Sequence, residues 1–135
     1  MPILVYKGKV KTEWLPVTVS TAFTKNTLVE MTSGYVGVAD DNDTALAGII
    51  KKTIASTDAD YASARRVPVI VPVERHVVYD VTGQTGFAAS NIGGEFGISA
   101  AGTLDVSDTT NKVFLMTEYV DATHVRGYFK INGSY

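Results

Sequence analysis

The feature that most constrains this chain is a succession of short segments rich in Val, Ile, Thr and Tyr that continues almost from end to end. These residue types fit a pleated, half-buried surface, whereas the Gly, Asn and Asp residues between the segments are typical of turns. The pattern predicts strands at residues 3–10, 14–20, 28–31, 35–39, 45–51, 67–73, 76–81, 95–99, 103–106, 113–119 and 124–131. Regular short strands of this kind predict a mostly β fold, a compact small barrel or sandwich (β-tulip-like) with long loops.

The last two segments show the alternation of a β-hairpin. In residues 113–119 one face carries Val, Leu, Thr and Tyr, and the other carries Phe, Met and Glu. Residues 124–131 alternate in the same way, with Arg126, Tyr128 and Lys130 on one side. The run between them has turn character, so the two strands are predicted to pair.

Helix signals are weak in this sequence. Residues 57–66 begin with capping residues and end with two arginines, but Val67 precedes Pro68 and therefore avoids the helical region. The sequence favours a loop here, with a single helical turn as the alternative. A second short helix is predicted at residues 87–92, before a pair of glycines. At most one or two short helices are expected in all.

Length and composition indicate one globular domain. The chain has 135 residues, 45% of them hydrophobic, which suffices for a buried core. A net charge of −2 argues against nucleic-acid binding, and the absence of cysteine excludes disulfides, thiolate metal sites and cysteine nucleophiles. No run approaches the roughly 18 apolar residues of a membrane span, and no secretory signal is visible. A soluble protein made in the cytoplasm, without membrane or nucleic-acid partners, is expected.

The first twenty residues differ from the remainder. Lys7, Lys9 and Lys11 lie on one side of an extended segment. Residues 1–20 are therefore predicted to form an edge strand, or an arm that orders against a partner. Residues 21–135 are predicted to form a single β-rich domain. Deletion of residues 2–12 is expected to leave that domain folded.

Three groups of residues have the composition of a metal-binding, catalytic or phosphate-binding site. For each, a structural role is the simpler explanation. Residues 40–43 lack the glycine and glutamate of a calcium loop, so a solvated turn is favoured. His76 and His124 each begin a predicted strand without a nucleophile motif, and the spacing from His76 to Asp80 does not suit a metal site. The glycines of residues 83–97 match no phosphate-binding loop. No catalytic, cofactor-binding or metal-binding residue is predicted, and an enzyme is not expected.

Residues 67–73, with the sequence Val-Pro-Val-Ile-Val-Pro-Val, form the most apolar predicted strand. Proline within a strand belongs at an edge or a bend, so neighbouring strands are not expected to pair with this one fully. A loop of the same chain or another subunit is then needed to cover it. The candidate subunit-interface residues are Val69, Ile70, Val71, Val73 and Arg75.

The order of several short motifs carries more information than any one of them. The motifs are Ala22-Phe23-Thr24, Thr27-Leu28-Val29, Gly34-Tyr35-Val36, Ala47-Gly48-Ile49-Ile50, Val67-Pro68-Val69, Gly93-Gly94-Glu95-Phe96-Gly97-Ile98, Gly102-Thr103-Leu104-Asp105 and Thr123-His124-Val125-Arg126-Gly127-Tyr128-Phe129. In this succession the chain resembles, over residues 20–131, the capsid decoration (cement) proteins of tailed bacteriophages, including the lambda-like head-stabilising class.

The resemblance implies a structural virion protein. Such proteins sit as homotrimers on the outer surface of the mature head, bind the major capsid protein, and stabilise the shell against packaged DNA without catalysis or cofactors. Their N-terminal segments commonly pair with capsid-protein elements. The candidate shell contacts are accordingly Ile3, Leu4, Val5, Tyr6, Lys7, Lys9 and Trp14. For Trp14 a core position is the alternative to an interface anchor.

The sequence also allows a second function. The chain is then a carbohydrate- or receptor-binding β module of a virion fibre or surface adhesin. The chain offers aromatic rings for stacking on sugars in Tyr35, Tyr61, Tyr79, Tyr119, Tyr128 and Tyr135. Most of these tyrosines are expected to be half-buried strand residues instead. A small enzyme and another virion role, such as a head–tail connector subunit, are the remaining alternatives.

Overall fold

The computed structural model describes residues 2–135, and strands are its main regular structure. The strands are β1 (Ile3–Lys7), β2 (Val10–Pro16), β3 (Thr27–Thr32), β4 (Tyr35–Val38), β5 (Leu46–Ile50), β6 (Arg66–Pro72), β7 (Val78–Val81), β8 (Glu95–Ala100), β9 (Thr103–Asp105), β10 (Phe114–Asp121) and β11 (His124–Phe129). The predicted mostly β fold class is confirmed.

The strands form two antiparallel sheets. The first has six strands in the order β1-β7-β11-β10-β8-β9, and the second has five in the order β2-β6-β5-β3-β4. β10 and β11 form the predicted hairpin, in which Phe114 lies opposite Phe129. The two sheets make a β-sandwich, which was one of the two predicted architectures.

The consecutive strands β1 and β2 lie in different sheets, and so do the consecutive strands β6 and β7. The two segments pair with each other in both sheets. β1 pairs with β7 in the first sheet, and β2 pairs with β6 in the second. Gly8 forms the corner between β1 and β2, where its φ of 116° favours glycine and an added Cβ would lie 3.0 Å from the Cα of Val77. The predicted single strand over residues 3–10 is therefore wrong at Gly8. The N-terminal residues are edge strands of both sheets.

Buried apolar side chains form two clusters on opposite faces of the second sheet. Leu28 and Ile49 belong to the first cluster, whereas their chain neighbours Val29 and Ile50 belong to the second. This division follows from the alternation of side chains along a strand. The first cluster lies between the sheets and also contains Ile3, Tyr79, Phe114, Met116, Val125 and Phe129.

The second sheet curls around the second cluster. Val17, just after β2, forms an isolated parallel bridge with Val36 of β4. Thr18 N donates to Val36 O at 2.9 Å beside this bridge. The two edges of the sheet thus approach each other at one end, and both valines are buried there.

Residues 2–12 are needed for this core. Ile3 is 1% exposed within the cluster between the sheets. β2 pairs with β6 from Val10 to Pro16. Deletion of residues 2–12 would remove β1 and the start of β2 and uncover the first cluster. These contacts argue against the expectation that the domain folds without residues 2–12.

β6 is an inner strand that pairs with β2 along its whole length but with β5 at only two residues, so the expectation of incomplete pairing is confirmed on one side. It lies between β2 and β5. Lys51 N donates to Pro68 O at 2.9 Å, so the even-numbered residues of β6 direct their backbone groups towards β5. β5 pairs with β6 only at Val69 and Ile70, which leaves Pro68 and Pro72 outside that short ladder. The missing N–H groups of both prolines therefore face β5, where pairing is short, and leave the ladder with β2 continuous.

The helical content is small. Residues 57–63 form a series of turns, as the sequence favoured, and β6 begins at Arg66. One turn of 3₁₀ helix, Ala89–Asn91, lies inside the segment 87–92 for which a short helix is predicted. Within residues 2–135 no helix has the length and apolar character needed to cross a membrane.

Candidate binding surfaces

The backbone of β1 forms an edge of the first sheet. Thr82 N donates to Pro2 O on the β7 side, whereas Ile3 N donates to Asn26 O on the other side. Because backbone groups of successive residues point in opposite directions, the N–H and C=O of Val5 point away from β7. β1 is the end strand of the sheet, so among the described residues no further strand pairs with this edge.

Apolar and basic side chains lie beside this edge. Tyr6 is 54% exposed and Leu4 is 42% exposed. The predicted shell contacts of this segment that lie at the surface are Leu4, Val5, Tyr6, Lys7 and Lys9. Ile3 is the exception, because its side chain is buried between the sheets. Its prediction as a direct shell contact is corrected to a core position.

Tyr6 is held against Arg126 of β11. The guanidinium carbon of Arg126 lies 3.8 Å from the centroid of the Tyr6 ring, within cation–π distance. The residue nevertheless keeps more than half of its surface exposed. An exposed aromatic ring is therefore fixed in place next to the edge of β1.

Carboxylates from both neighbouring strands hold Arg126. Its Nε donates to Asp80 Oδ1 of β7 at 2.8 Å, and its Nη1 donates to Glu118 of β10. His124 contacts the same oxygen of Asp80. Partial burial opposes ionisation of Asp80, but hydrogen bonds from Arg126 and His124 lower the pKa of its carboxyl below the ordinary value. Hydrogen bonds to Asp80 and Glu118 raise the pKa of Arg126, so the guanidinium stays charged.

Sequence reasoning missed this network. The strand register places Arg126 opposite Asp80 on one side and opposite Glu118 on the other. A β-bulge between Met116 and Glu118 shifts the second pairing. The alternation of residues 124–131 does predict that Arg126 shares a face with other polar residues, but alternation does not define which strands lie beside it.

Trp14 lies on the surface. It is 59% exposed, opposite Pro68 in the ladder between β2 and β6. Arg66 Nη1 donates to its backbone oxygen at 3.0 Å. The core alternative for Trp14 is therefore wrong. An exposed tryptophan on an edge strand fits the composition of interface hot spots, and its contact with a shell stays a prediction.

The residues of the predicted subunit interface differ in burial, and only some of them are accessible to another subunit. Val69 and Val71 are 0% and 4% exposed in the second cluster, so their side chains are not available to another subunit. Ile70 is half-buried. Val73 and Arg75 are exposed and border a shallow groove of about 310 Å³ next to the C-terminus. The prediction is corrected for the two buried valines and stays a prediction for the others.

The polar clusters identified in the sequence have structural roles. Asp40 N donates to Asp43 Oδ2 at 2.7 Å, and Asp41 N donates to Asp40 Oδ1 at 2.8 Å, as expected of the predicted turn. His76 stacks on Tyr128 with 4.9 Å between ring centroids. Within residues 2–135, no three His, Asp or Glu side chains are grouped so as to hold a metal ion.

The tyrosines considered for sugar stacking differ widely in exposure. Tyr79 is buried in the first cluster. Tyr61, Tyr119, Tyr128 and Tyr135 are half-buried, as expected of most of them. Tyr35 is 52% exposed at the start of β4. Of this set, Tyr35 therefore presents the most accessible ring.

Comparison with known proteins assigns no family to this chain. No protein-family model matches it, and no curated protein matches it. The function is therefore argued from the order of the sequence motifs and from the surfaces of the molecule.

Proposed function

We propose that this protein is a capsid decoration protein, which binds the major capsid protein as a homotrimer on the outer surface of a mature phage head. The observation that carries the proposal is the edge of β1, with Leu4 and Tyr6 exposed beside it. The order of the sequence motifs and the all-β fold support it. The protein is made in the host cytoplasm and acts on the exterior of the virion.

The edge of β1 supports binding by strand addition. An extended segment of the capsid protein pairs with the outward N–H and C=O of Val5, as in β-augmentation. Lys7 and Lys9 are exposed and make this edge basic, whereas Lys11 pairs with Glu13 at 2.9 Å. A capsid segment that carries carboxylates is therefore the favoured partner.

A homotrimer makes three such weak contacts act together. Once one strand edge is bound, the second and third bind at a high effective concentration. Each edge then needs only modest affinity. A ligand that binds the assembled shell but not its dissociated subunits stabilises the shell by linkage. Decoration therefore strengthens the head without any chemical step.

The experiment combines light scattering with co-sedimentation. The purified protein is mixed with expanded, DNA-free heads of the phage that encodes it, and with unexpanded precursor shells as the control. We expect the mass of three chains in solution and sedimentation with expanded heads. A monomer that binds heads would place trimer assembly on the lattice, and a protein that binds no expanded head would contradict the proposal.

A glycan array separates this function from the carbohydrate-binding alternative. Decoration predicts no saturable glycan binding by the isolated protein. Glycan binding together with failure to sediment with heads would favour the sugar-binding module.

A further inference from the structure

A groove beside the hairpin of β3 and β4 forms a second candidate site. Its volume is about 730 Å³, within the range of sites that hold ligands or partner side chains. Val19, Tyr35 and Val38 border it and are 44%, 52% and 39% exposed. Exposed apolar side chains grouped around a concave surface are typical of binding sites.

The groove contains one carboxylate, which Glu30 of β3 supplies; the other described lining residues are uncharged. Glu30 lies opposite Gly37 of β4, where an added Cβ would lie 2.7 Å from Glu30 Oε1. Thr32 donates its hydroxyl to the other carboxylate oxygen. The missing side chain at Gly37 therefore makes room for the carboxylate, and Thr32 orients it.

Glu30 has no cationic partner among residues 2–135, where the ion pairs involve other acidic residues. The segment around Val19, which also borders the groove, is anchored. Thr18 N donates to Val36 O at 2.9 Å, and the Tyr61 hydroxyl donates to Ser20 O at 2.6 Å. These two bonds flank Val19 and hold it at the border of the groove. An oriented carboxylate and a fixed apolar side chain thus line the same groove.

We propose that this groove binds a lysine or arginine side chain presented by an extended segment of a protein partner. The cationic group pairs with Glu30, and the apolar stem packs against Val19 at the border of the groove. Such a pair is less screened in a partly apolar groove than on an open surface. The ring of Tyr35 adds a cation–π contact. The site is independent of the decoration proposal, because the edge of β1 belongs to the other sheet.

The test is a ¹⁵N NMR titration of the full chain with two tripeptide probes, Ac-Val-Arg-Val-NH₂ and the matched neutral Ac-Val-Gln-Val-NH₂. We expect the arginine probe to shift the amide signals of Gly37 and Val38 and to bind about tenfold more tightly, as a charge-assisted hydrogen bond provides. Glu30→Gln is expected to make the two probes equal. Glu13→Gln, the same change in charge on β2, is the matched control and is expected to keep the preference.

Three results would overturn the proposal. They are equal affinity of the two probes for the unmodified protein, shifts confined to residues outside the groove, and an equal loss of preference in Glu13→Gln. Thermal unfolding confirms that each variant is folded. If Glu30→Gln does not fold, Tyr35→Ala replaces it, since Tyr35 is exposed and its removal leaves the core intact. This variant is expected to weaken the arginine probe more than the glutamine probe, and an equal effect on both would overturn the proposal.

Discussion

The guanidinium of Arg126 lies against the ring of Tyr6, 3.8 Å from guanidinium carbon to ring centroid, so the last strand fixes an exposed ring of the first. Asp80 and Glu118 fix the guanidinium in turn. A side chain ordered before binding loses less entropy on binding. The surface next to the edge of β1 is therefore arranged for association before any partner arrives.

The outward N–H of Val5 is expected to be needed for shell binding. Val5→Pro removes this donor but leaves the backbone groups of Leu4, which face β7. We expect at least about tenfold weaker binding to expanded heads, measured by co-sedimentation, with little change in the melting temperature. Val5→Thr keeps the N–H and is the matched control. Undiminished binding by Val5→Pro would exclude strand addition at this position.

Ile3 is buried and its neighbour Leu4 is exposed. Truncation of the two side chains to alanine is therefore expected to lower the free energy of unfolding by different amounts. Ile3→Ala empties part of the core between the sheets and should lower the free energy of unfolding by about 2–4 kcal/mol. Leu4→Ala removes an exposed side chain and should cost less than about 1 kcal/mol. Urea denaturation measures both values. Equal costs would show that Ile3 does not belong to the core.

Tyr79 carries a buried hydroxyl without a hydrogen-bond partner in the described part of the chain. Tyr79→Phe removes this group and is expected to raise the free energy of unfolding by about 1 kcal/mol, measured by urea denaturation. A loss of stability would mean that the hydroxyl is satisfied.

The same hydroxyl predicts a dependence of stability on alkaline pH. Burial raises the pKa of Tyr79 to about 12, above the value of about 10 expected in the unfolded chain. The folded protein then holds this proton more tightly, so the contribution of Tyr79 to stability falls as pH rises from about 10 towards 12. Tyr79→Phe is expected to show a shallower alkaline decline. An identical decline in both proteins would assign it to other groups, such as Tyr135, whose burial and hydrogen bond to Glu95 also raise its pKa.

Asp80 predicts a dependence on acidic pH. Its pKa is lowered in the folded state, so its contribution to stability is complete above the unfolded value of about 3.9 and is lost as pH falls through the lower folded value. Asp80→Asn is expected to cost about 1–3 kcal/mol at neutral pH and to flatten the acid side of the stability profile. Urea denaturation across pH measures the effect, and Asp41→Asn in the exposed turn is the control. An unchanged acid slope in Asp80→Asn would contradict the role given to the network.

Local pattern was enough to predict β3 to β11 to within two residues, but it was wrong for the first two strands, predicted at residues 3–10 and 14–20 and found at Ile3–Lys7 and Val10–Pro16. Residue alternation in β10 and β11 reported which side chains share a face, and the turn residues between them predicted the hairpin. The loop at residues 57–66 followed from the proline after it. The corner at Gly8 and the positive φ of 62° at His76 were missed, because the predicted strands run through Gly8 and begin at His76.

By itself, the sequence determined the all-β class, the absence of thiol chemistry and the basic character of the first strands, since these depend on residue type and on near neighbours. Only the tertiary structure decided that Ile3 is buried, that Trp14 is exposed, and that β6 is covered on both sides by its own chain. It also decided that Asp80, Glu118 and Arg126 meet across three strands. The physical reason is that strand order and register arise from pairing between distant segments, and alternation along one strand defines a face but not the neighbour beside it.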